Sequence, residues 1–203
     1  MLEVKNISFA YENGIKILDD VSFELNQGEI VGLIAPSGYG KSTLARIMAG
    51  YMKPTCGKVL LDGLDVFEIQ GFHPVQMAHQ HPEKTVNIRW KNDRILNEGW
   101  NVSEEVKSAF GIEDWWLKKW PVELSGGELQ RICLARILSP NTKYLLADEI
   151  TTMIDAISTK ELCDVLKTMV HKQNLGILFI SHDKDLIYEI SDRVLDLQEL
   201  NCI

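Results

Sequence analysis

The sequence predicts an α/β fold: a parallel sheet core with an antiparallel β insertion and a helical subdomain. Three short, continuously apolar runs are typical of buried parallel strands: EIVGLIA (29–35), KYLLADE (143–149) and GILFISH (176–182). Between the last two, STKELCDVLKTMVHKQN (158–174) carries apolar residues at helical spacing. Strands that alternate with helices imply right-handed crossovers and a parallel sheet.

The antiparallel part is predicted from residues near the amino terminus. Apolar and polar residues alternate in residues 1–11 and again in 21–25, as in half-buried strands. KVLLDGLDV (58–66) contains two short apolar runs around Asp62 and Gly63, and Asp-Gly is a strong hairpin signal. We therefore expect an antiparallel β insertion beside the parallel sheet.

A helical subdomain is predicted for residues 84–124, where charge is dense and strand patterning is lost. All five tryptophans lie between Trp90 and Trp120. Because tryptophans are mostly buried in small domains, we expect them to form a local core, with a docking face for another protein as the alternative. Residues 1–83 and 125–203 then form the rest of a single domain.

Composition narrows the class of protein. The 203 residues carry a net charge of −8, which disfavours nucleic acid as a partner. No apolar run approaches the roughly 20 residues of a membrane-spanning helix, and residues 1–11 do not resemble a secretion signal. The cysteines are scattered without C-x-x-C spacing, so free thiols in a cytoplasmic protein are expected: Cys56, Cys133, Cys163 and Cys202.

The stretch IAPSGYGKST (34–43) is close to the phosphate-binding pattern G-x-x-x-x-G-K-[ST] and lies between a predicted strand and a predicted helix. In such a loop, backbone N–H groups point at the β-phosphate, and Gly38 and Gly40 permit the curl. Lys41 can reach the β- and γ-phosphates, and Ser42 offers a hydroxyl to Mg²⁺. A nucleotide site is therefore predicted.

The first glycine of the pattern is replaced by Ala35. Because this position precedes the curl, a methyl group is tolerated as long as φ stays negative. We expect the loop to bind ATP, with Thr43 near the α-phosphate. The predicted ATP-binding loop residues are Ala35, Pro36, Ser37, Gly38, Tyr39, Gly40, Lys41, Ser42 and Thr43.

Two carboxylates end the strand KYLLADE. Asp148 can be a second contact of the Mg²⁺, on the side away from Ser42. Glu149 can orient and polarise an attacking water. Acids at a strand end can also cap the following helix, but their combination with the phosphate loop favours nucleotide hydrolysis.

LSGGE (124–128), the signature loop, precedes the helix ELQRICLARIL. Ser125, Gly126 and Gly127 place a hydroxyl and unobstructed amides at a helix amino terminus, a second anion site, although a plain helix cap looks the same locally. In this order along the chain, the loop resembles the signature of the ATP-binding-cassette (ABC) ATPases. The resemblance implies that Glu128 also belongs to the ATP-binding set.

The resemblance covers essentially the whole chain and implies a RecA-like P-loop NTPase fold. It assigns roles to four further residues. Tyr11 is similar to the aromatic that stacks on adenine, and Gln80 to the lid-loop glutamine, an ATP and Mg²⁺ contact. TMID (152–155) is similar to the D-loop, and His182 to the catalytic switch histidine that faces the γ-phosphate.

In this family two ATPase subunits close head to tail, so the signature loop of one completes the phosphate site of the other. The resemblance thus implies a second ABC ATPase subunit, identical or homologous, and membrane permeases at the cytoplasmic face of the membrane. The sequences of VQMAHQHPEKTVN (75–87) and of the signature helix are similar to those of the peptide and nickel importer branch. A solute-binding protein is then an indirect partner, and the cargo is a peptide, nickel or a metal chelate.

Two alternatives remain open. One is a soluble ABC ATPase that is not coupled to transport. The other is a binding-only partner of a more active ATPase subunit, which Ala35 and the altered D-loop make conceivable. A further departure from the family pattern is Ile150, which follows Glu149 where proline is usual. None of these departures removes a charged or catalytic group.

Overall fold

A computed structural model of the protein describes residues 1–12 and 14–202. Its strands are β1 (Leu2–Ala10), β2 (Lys16–Leu25), β3 (Ile30–Ile34), β4 (Cys56–Leu61), β5 (Leu64–Asp65), β6 (Val75–Ala78), β7 (Tyr144–Asp148), β8 (Gly176–Ile180) and β9 (Arg193–Asp196). One sheet has the order β6-β7-β8-β3-β9 with every neighbouring pair parallel, and the other has the order β2-β1-β4-β5 with every pair antiparallel. Both predicted sheets are confirmed.

The helices are α1 (Lys41–Met48), α2 (Asn92–Leu96), α3 (Glu104–Ala109), α4 (Asp114–Leu117), α5 (Gly126–Ile137), α6 (Ala156–Gln173), α7 (Lys184–Ile190) and α8 (Leu197–Leu200). Single 3₁₀ turns lie at Val66–Glu68, Pro82–Lys84 and Pro121–Glu123. Side-chain caps define where the long helices begin: Ser125, Asp155 and Asp183 each accept a hydrogen bond from a backbone N–H in the first turn of α5, α6 and α7.

The parallel sheet is buried on both faces. In β8, Ile177 and Phe179 belong to one apolar cluster, and Leu178 and Ile180 belong to another. The first cluster includes residues of α5, α6 and α7, whereas the second includes residues of α1 and of the antiparallel sheet. Strands that are buried on both faces read as continuous apolar runs, which explains the pattern seen in the sequence.

The predicted Asp-Gly hairpin is confirmed. Leu61 pairs with Leu64, which leaves Asp62 and Gly63 as a two-residue loop. Their φ values are 51° and 87°, as a type I′ turn requires at both central positions.

Residues 84–124 contain α2, α3 and α4 and no strand. The boundaries of this helical subdomain remain a prediction, because its buried residues, among them Phe110, join the apolar cluster of the parallel sheet. The five tryptophans differ in burial. Trp116 is buried in that cluster, and Trp90 and Trp100 are half-buried against it. The expectation of a core role is wrong for the other two, Trp115 and Trp120, which are 45% and 41% exposed.

Four elements were not expected from the sequence: β6, α7, β9 and α8. Each of the two strands has only four residues, too few for a periodic signal, and each lies at an edge of the parallel sheet. Within residues 1–12 and 14–202, every helix is too short or too polar to cross a lipid bilayer.

Candidate functional site

The predicted site residues meet at one edge of the parallel sheet. In β8, Ile180 pairs with Leu33 on one side and with Asp148 on the other, so the carboxyl ends of β3, β7 and β8 are level. The phosphate loop follows β3, Glu149 follows β7, and His182 lies two residues after β8. Parallel strands therefore bring three separate segments of the chain to a single place.

The curl of the phosphate loop depends on its inner glycines. Gly38 and Gly40 have φ values of 81° and 95°, which L-residues rarely adopt. A Cβ on Gly40 would also lie 2.7 Å from Ile17 Cγ2. Ala35 is not among the described residues with positive φ, as predicted. The substitution therefore falls where no glycine is needed.

Lys41 is the first residue of α1 and is only 5% exposed. Its ammonium donates hydrogen bonds to the carbonyl oxygens of Ala35 (2.6 Å) and Pro36 (3.1 Å). Burial lowers the pKa of this ammonium, and the negative charges of Glu149 and Asp148 partly offset the effect. The loop thus surrounds a buried cation with its own backbone.

Ser42 and Asp148 are brought together from α1 and β7, and the Ser42 hydroxyl donates to Asp148 Oδ1 at 3.0 Å. Burial raises the pKa of the Asp148 carboxyl, and the hydrogen bond from Ser42 partly offsets that rise. Hydroxyl and carboxylate oxygens are ligands that Mg²⁺ accepts, and the Gln80 amide lines the neighbouring cavity. The residues present fit a magnesium ion.

Glu149 and His182 form a close pair. His182 Nε2 lies 2.6 Å from Glu149 Oε1, and the Glu149 side chain is 10% exposed. Glu149 has a φ of 53°, an uncommon conformation for a residue with a side chain, which costs about 1–2 kcal/mol. Its backbone N–H donates to the carbonyl of Ile180 at 3.0 Å. The carboxylate is thus held in one position from both its backbone and its side chain.

These groups face a common cavity of about 420 Å³. Its lining residues are Tyr11, Ile17, Ser37, Gly38, Gly40, Lys41, Ser42, Thr43, Gln80, Glu149 and His182. Tyr11 shares a hydrogen bond of 3.0 Å with the Thr43 hydroxyl and packs edge-on against Phe9, so its ring is held at the rim. The cavity combines polar groups of the phosphate loop with an aromatic wall, as a nucleotide site requires.

A family model described as "ABC transporter" matches residues 18–152. The chain belongs to the ABC transporter family. It is 31% identical to the oligopeptide transport ATP-binding protein OppF of Streptococcus mutans, over 96% of this chain and 70% of the relative. It is also 30% identical to the methionine import ATP-binding protein MetN of Helicobacter acinonychis, over 96% of this chain and 64% of the relative. The protein is therefore an ATP-binding cassette of the ABC ATPase family.

Solved cassettes share the fold. The dimeric structure of MJ0796, a bacterial ABC transporter cassette, superposes with a TM-score of 0.83, covering 97% of this chain and 94% of that one. The two sequences are 22% identical, so the match shows the fold alone. A P-loop NTPase core, as predicted, is thereby confirmed.

Not every predicted ATP-binding residue of the cassette lines the main cavity. Ala35 and Pro36 line a second cavity of about 240 Å³ behind the loop, which His182 also contacts. Tyr39 lines neither of these two cavities. Conversely, Ile17 lines the main cavity and was not predicted. It precedes the alternating residues 21–25 that indicated a strand, so no sequence pattern marked it as part of a site.

The signature loop of the cassette lies apart from the phosphate loop. Ser125, Gly127 and Glu128 line a different cavity of about 610 Å³, together with Asp155 of the D-loop. Glu128 N–H donates to the Ser125 hydroxyl at 3.3 Å, and Glu128 Oε2 accepts from Ser125 N–H at 2.7 Å. Within one chain the loop is a capping box at the start of α5, so the helix-cap interpretation is also correct.

Ala35→Gly is expected to change ATP affinity by less than tenfold, about 1.4 kcal/mol. The position contributes its carbonyl oxygen to Lys41, and alanine and glycine share that atom. Calorimetric titration with ATP measures the effect. A larger gain in affinity would show that the alanine methyl distorts the loop.

Proposed function

We propose that this cassette is the ATP-hydrolysing subunit of an ABC importer. The observation that carries the proposal is a single cavity lined by a buried cation, by a hydroxyl that is hydrogen-bonded to a carboxylate, and by a fixed second carboxylate. Lys41 supplies the cation, Ser42 and Asp148 the pair, and Glu149 the fixed carboxylate.

Each group has a defined task in hydrolysis. The inner loop amides and the Lys41 ammonium bind the β- and γ-phosphates. Ser42, Asp148 and Gln80 would hold a magnesium ion, which would supply positive charge next to the phosphate oxygens. Glu149 accepts the proton of a water that attacks the γ-phosphorus, and the ADP oxygen leaves with the electron pair of the broken bond. His182 keeps the Glu149 carboxylate in position and contacts the γ-phosphate from the same side.

A second cassette completes the site. The signature loop residues Ser125, Gly126 and Gly127 lie at the amino terminus of α5, and Ser125 and Gly127 line a cavity separate from the phosphate loop. We infer that they contact ATP held by another cassette, identical or homologous. The dimeric arrangement of the MJ0796 cassette, which shares this fold, supports the inference.

Coupling to transport is proposed from the relatives, whose names refer to oligopeptide transport and methionine import. The cassette then works at the cytoplasmic face of the membrane, peripherally, bound to permease subunits and served by a solute-binding protein. Peptides, nickel and metal chelates remain the proposed cargo classes.

Uptake measurements in cells that lack the gene test the transport role. We expect uptake of a labelled oligopeptide or of nickel to fall, and to be restored by the unaltered chain but not by its Glu149→Gln variant. Unchanged uptake of both, with full ATPase activity of the purified chain in the absence of membranes, would support a soluble ATPase instead. Restoration by Glu149→Gln would indicate a binding-only subunit.

A further inference from the structure

One partly buried arginine ties together three segments that are distant in sequence. Arg131 lies on α5, and its side chain is 12% exposed. Its Nη1 donates to the carbonyl of Phe110 at 3.2 Å, at the end of α3. Its Nη2 donates to the carbonyl of Ser158 at 3.5 Å and to Glu161 Oε2 at 2.9 Å, both on α6. Gly111 lies beside the guanidinium and has a φ of 61°, a conformation that residues with a side chain rarely adopt.

The chain segments at the amino-terminal ends of α5 and α6 are also in contact. A Cβ on Gly126 would lie 3.3 Å from Met153 Cβ, and one on Gly127 would lie 3.7 Å from Ile154 Cγ1. The signature loop therefore packs directly on the D-loop. Arg131 crosses between the same helices six residues after Ser125, about 9 Å along α5. Two contacts at different heights fix both the separation and the angle of α5 and α6.

We propose that Arg131 is a positioning residue that holds the signature loop, the D-loop and the helical subdomain in one geometry, and that this geometry sets how tightly two cassettes close on ATP. The proposal rests on the paired site proposed above. The planar guanidinium reaches three acceptors at once. Lysine offers a single ammonium, which can keep the pair with Glu161 but cannot serve the carbonyls of both Phe110 and Ser158.

The contacts of Arg131 with Phe110, Ser158 and Glu161 form a clamp between α3, α5 and α6. Hydrogen exchange of the isolated chain, measured without nucleotide, tests this clamp. In Arg131→Met, amides of residues 151–158 are expected to exchange about tenfold faster, because the hydrogen bonds from the guanidinium to Ser158 and Glu161 are lost. Arg131→Lys should give an intermediate rate and also serves if the methionine variant fails to fold. Arg136→Met is the matched control: Arg136 is 14% exposed on the same helix but contacts Thr85 and Glu98 instead. Exchange in 151–158 that is unchanged in both Arg131 variants would overturn the clamp.

Sedimentation with ATP tests the consequence for pairing. In a Glu149→Gln background, Arg131→Met should weaken ATP-dependent pairing about tenfold while the ATP affinity of the single chain is unchanged, and Arg131→Lys should recover part of the loss. Equal pairing by the Arg131 variants and their parent would overturn the proposed control of closure. If the Glu149→Gln parent itself does not form pairs in the presence of ATP, the proposed two-cassette site is wrong. The hydrogen-exchange measurement does not depend on pairing and would still test the clamp.

Discussion

Lys41→Ala is expected to abolish tight ATP binding. The substitution removes the side-chain cation that the phosphate loop encloses at the start of α1. In the unaltered chain, the Lys41 ammonium donates hydrogen bonds to two carbonyl oxygens of the loop. Each charged hydrogen bond to a phosphate contributes about 1.5–3 kcal/mol, so ATP affinity should fall by at least about 10²-fold. Calorimetric titration with ATP and Mg²⁺ measures the loss.

A lysine far from the cavity lining provides the matched control. Lys143 pairs with Asp62 at 2.7 Å and is 43% exposed, so Lys143→Ala removes the same charge without touching the loop. We expect its ATP affinity to equal that of the unaltered chain. If Lys41→Ala binds ATP as tightly as Lys143→Ala, the phosphate-binding role of Lys41 is wrong.

Glu149→Gln is expected to lower ATP turnover by about 10²- to 10⁴-fold, the loss typical of removing a positioned general base. The amide keeps the shape and can still accept a hydrogen bond from His182, but it cannot accept the proton of the attacking water. Lys41, Ser42 and Asp148 are untouched, so ATP affinity should be retained. The variant should therefore hold ATP unhydrolysed.

Single-turnover measurements separate binding from chemistry. Labelled ATP should bind to Glu149→Gln with the affinity of the unaltered chain and remain uncleaved, whereas Glu199→Gln, an exposed carboxylate on α8, should turn over normally. Cleavage at the unaltered rate by Glu149→Gln would exclude the general-base role.

Local sequence patterns predicted the phosphate loop and the strands that carry it. The glycines that permit the curl, the Lys41 cation and the Ser42 hydroxyl are close together within residues 38–43. Buried strands such as β8 are continuous apolar runs. The approach of Ser42 to Asp148 and of Glu149 to His182 was predictable only as far as parallel strands end at one edge. The left-handed conformation of Glu149 has no local signal, because glutamate does not favour it.

Features that depend on distant segments were not predictable. The partners of Arg131 come from Phe110, Ser158 and Glu161, and no spacing in the sequence relates them. The exposure of Trp115 was missed for a related reason: α4 has only four residues and buries Trp116 but not its neighbour Trp115. Trp120 lies beyond α4, next to the 3₁₀ turn Pro121–Glu123, where no helical spacing indicated its exposure. The signature loop was identified by pattern, yet its partner is proposed to belong to another chain.

We expect ATP held by the loop of one cassette to be hydrolysed only when the signature loop of a second cassette closes on it. The most direct measurement is the rate of ATP hydrolysis per chain as a function of protein concentration, for this cassette alone and mixed with a homologous one. We expect a rate per chain that rises with protein concentration to a plateau and is lost in Ser125→Arg, which blocks the signature loop. A rate per chain that is independent of concentration and unaffected by Ser125→Arg would contradict this expectation.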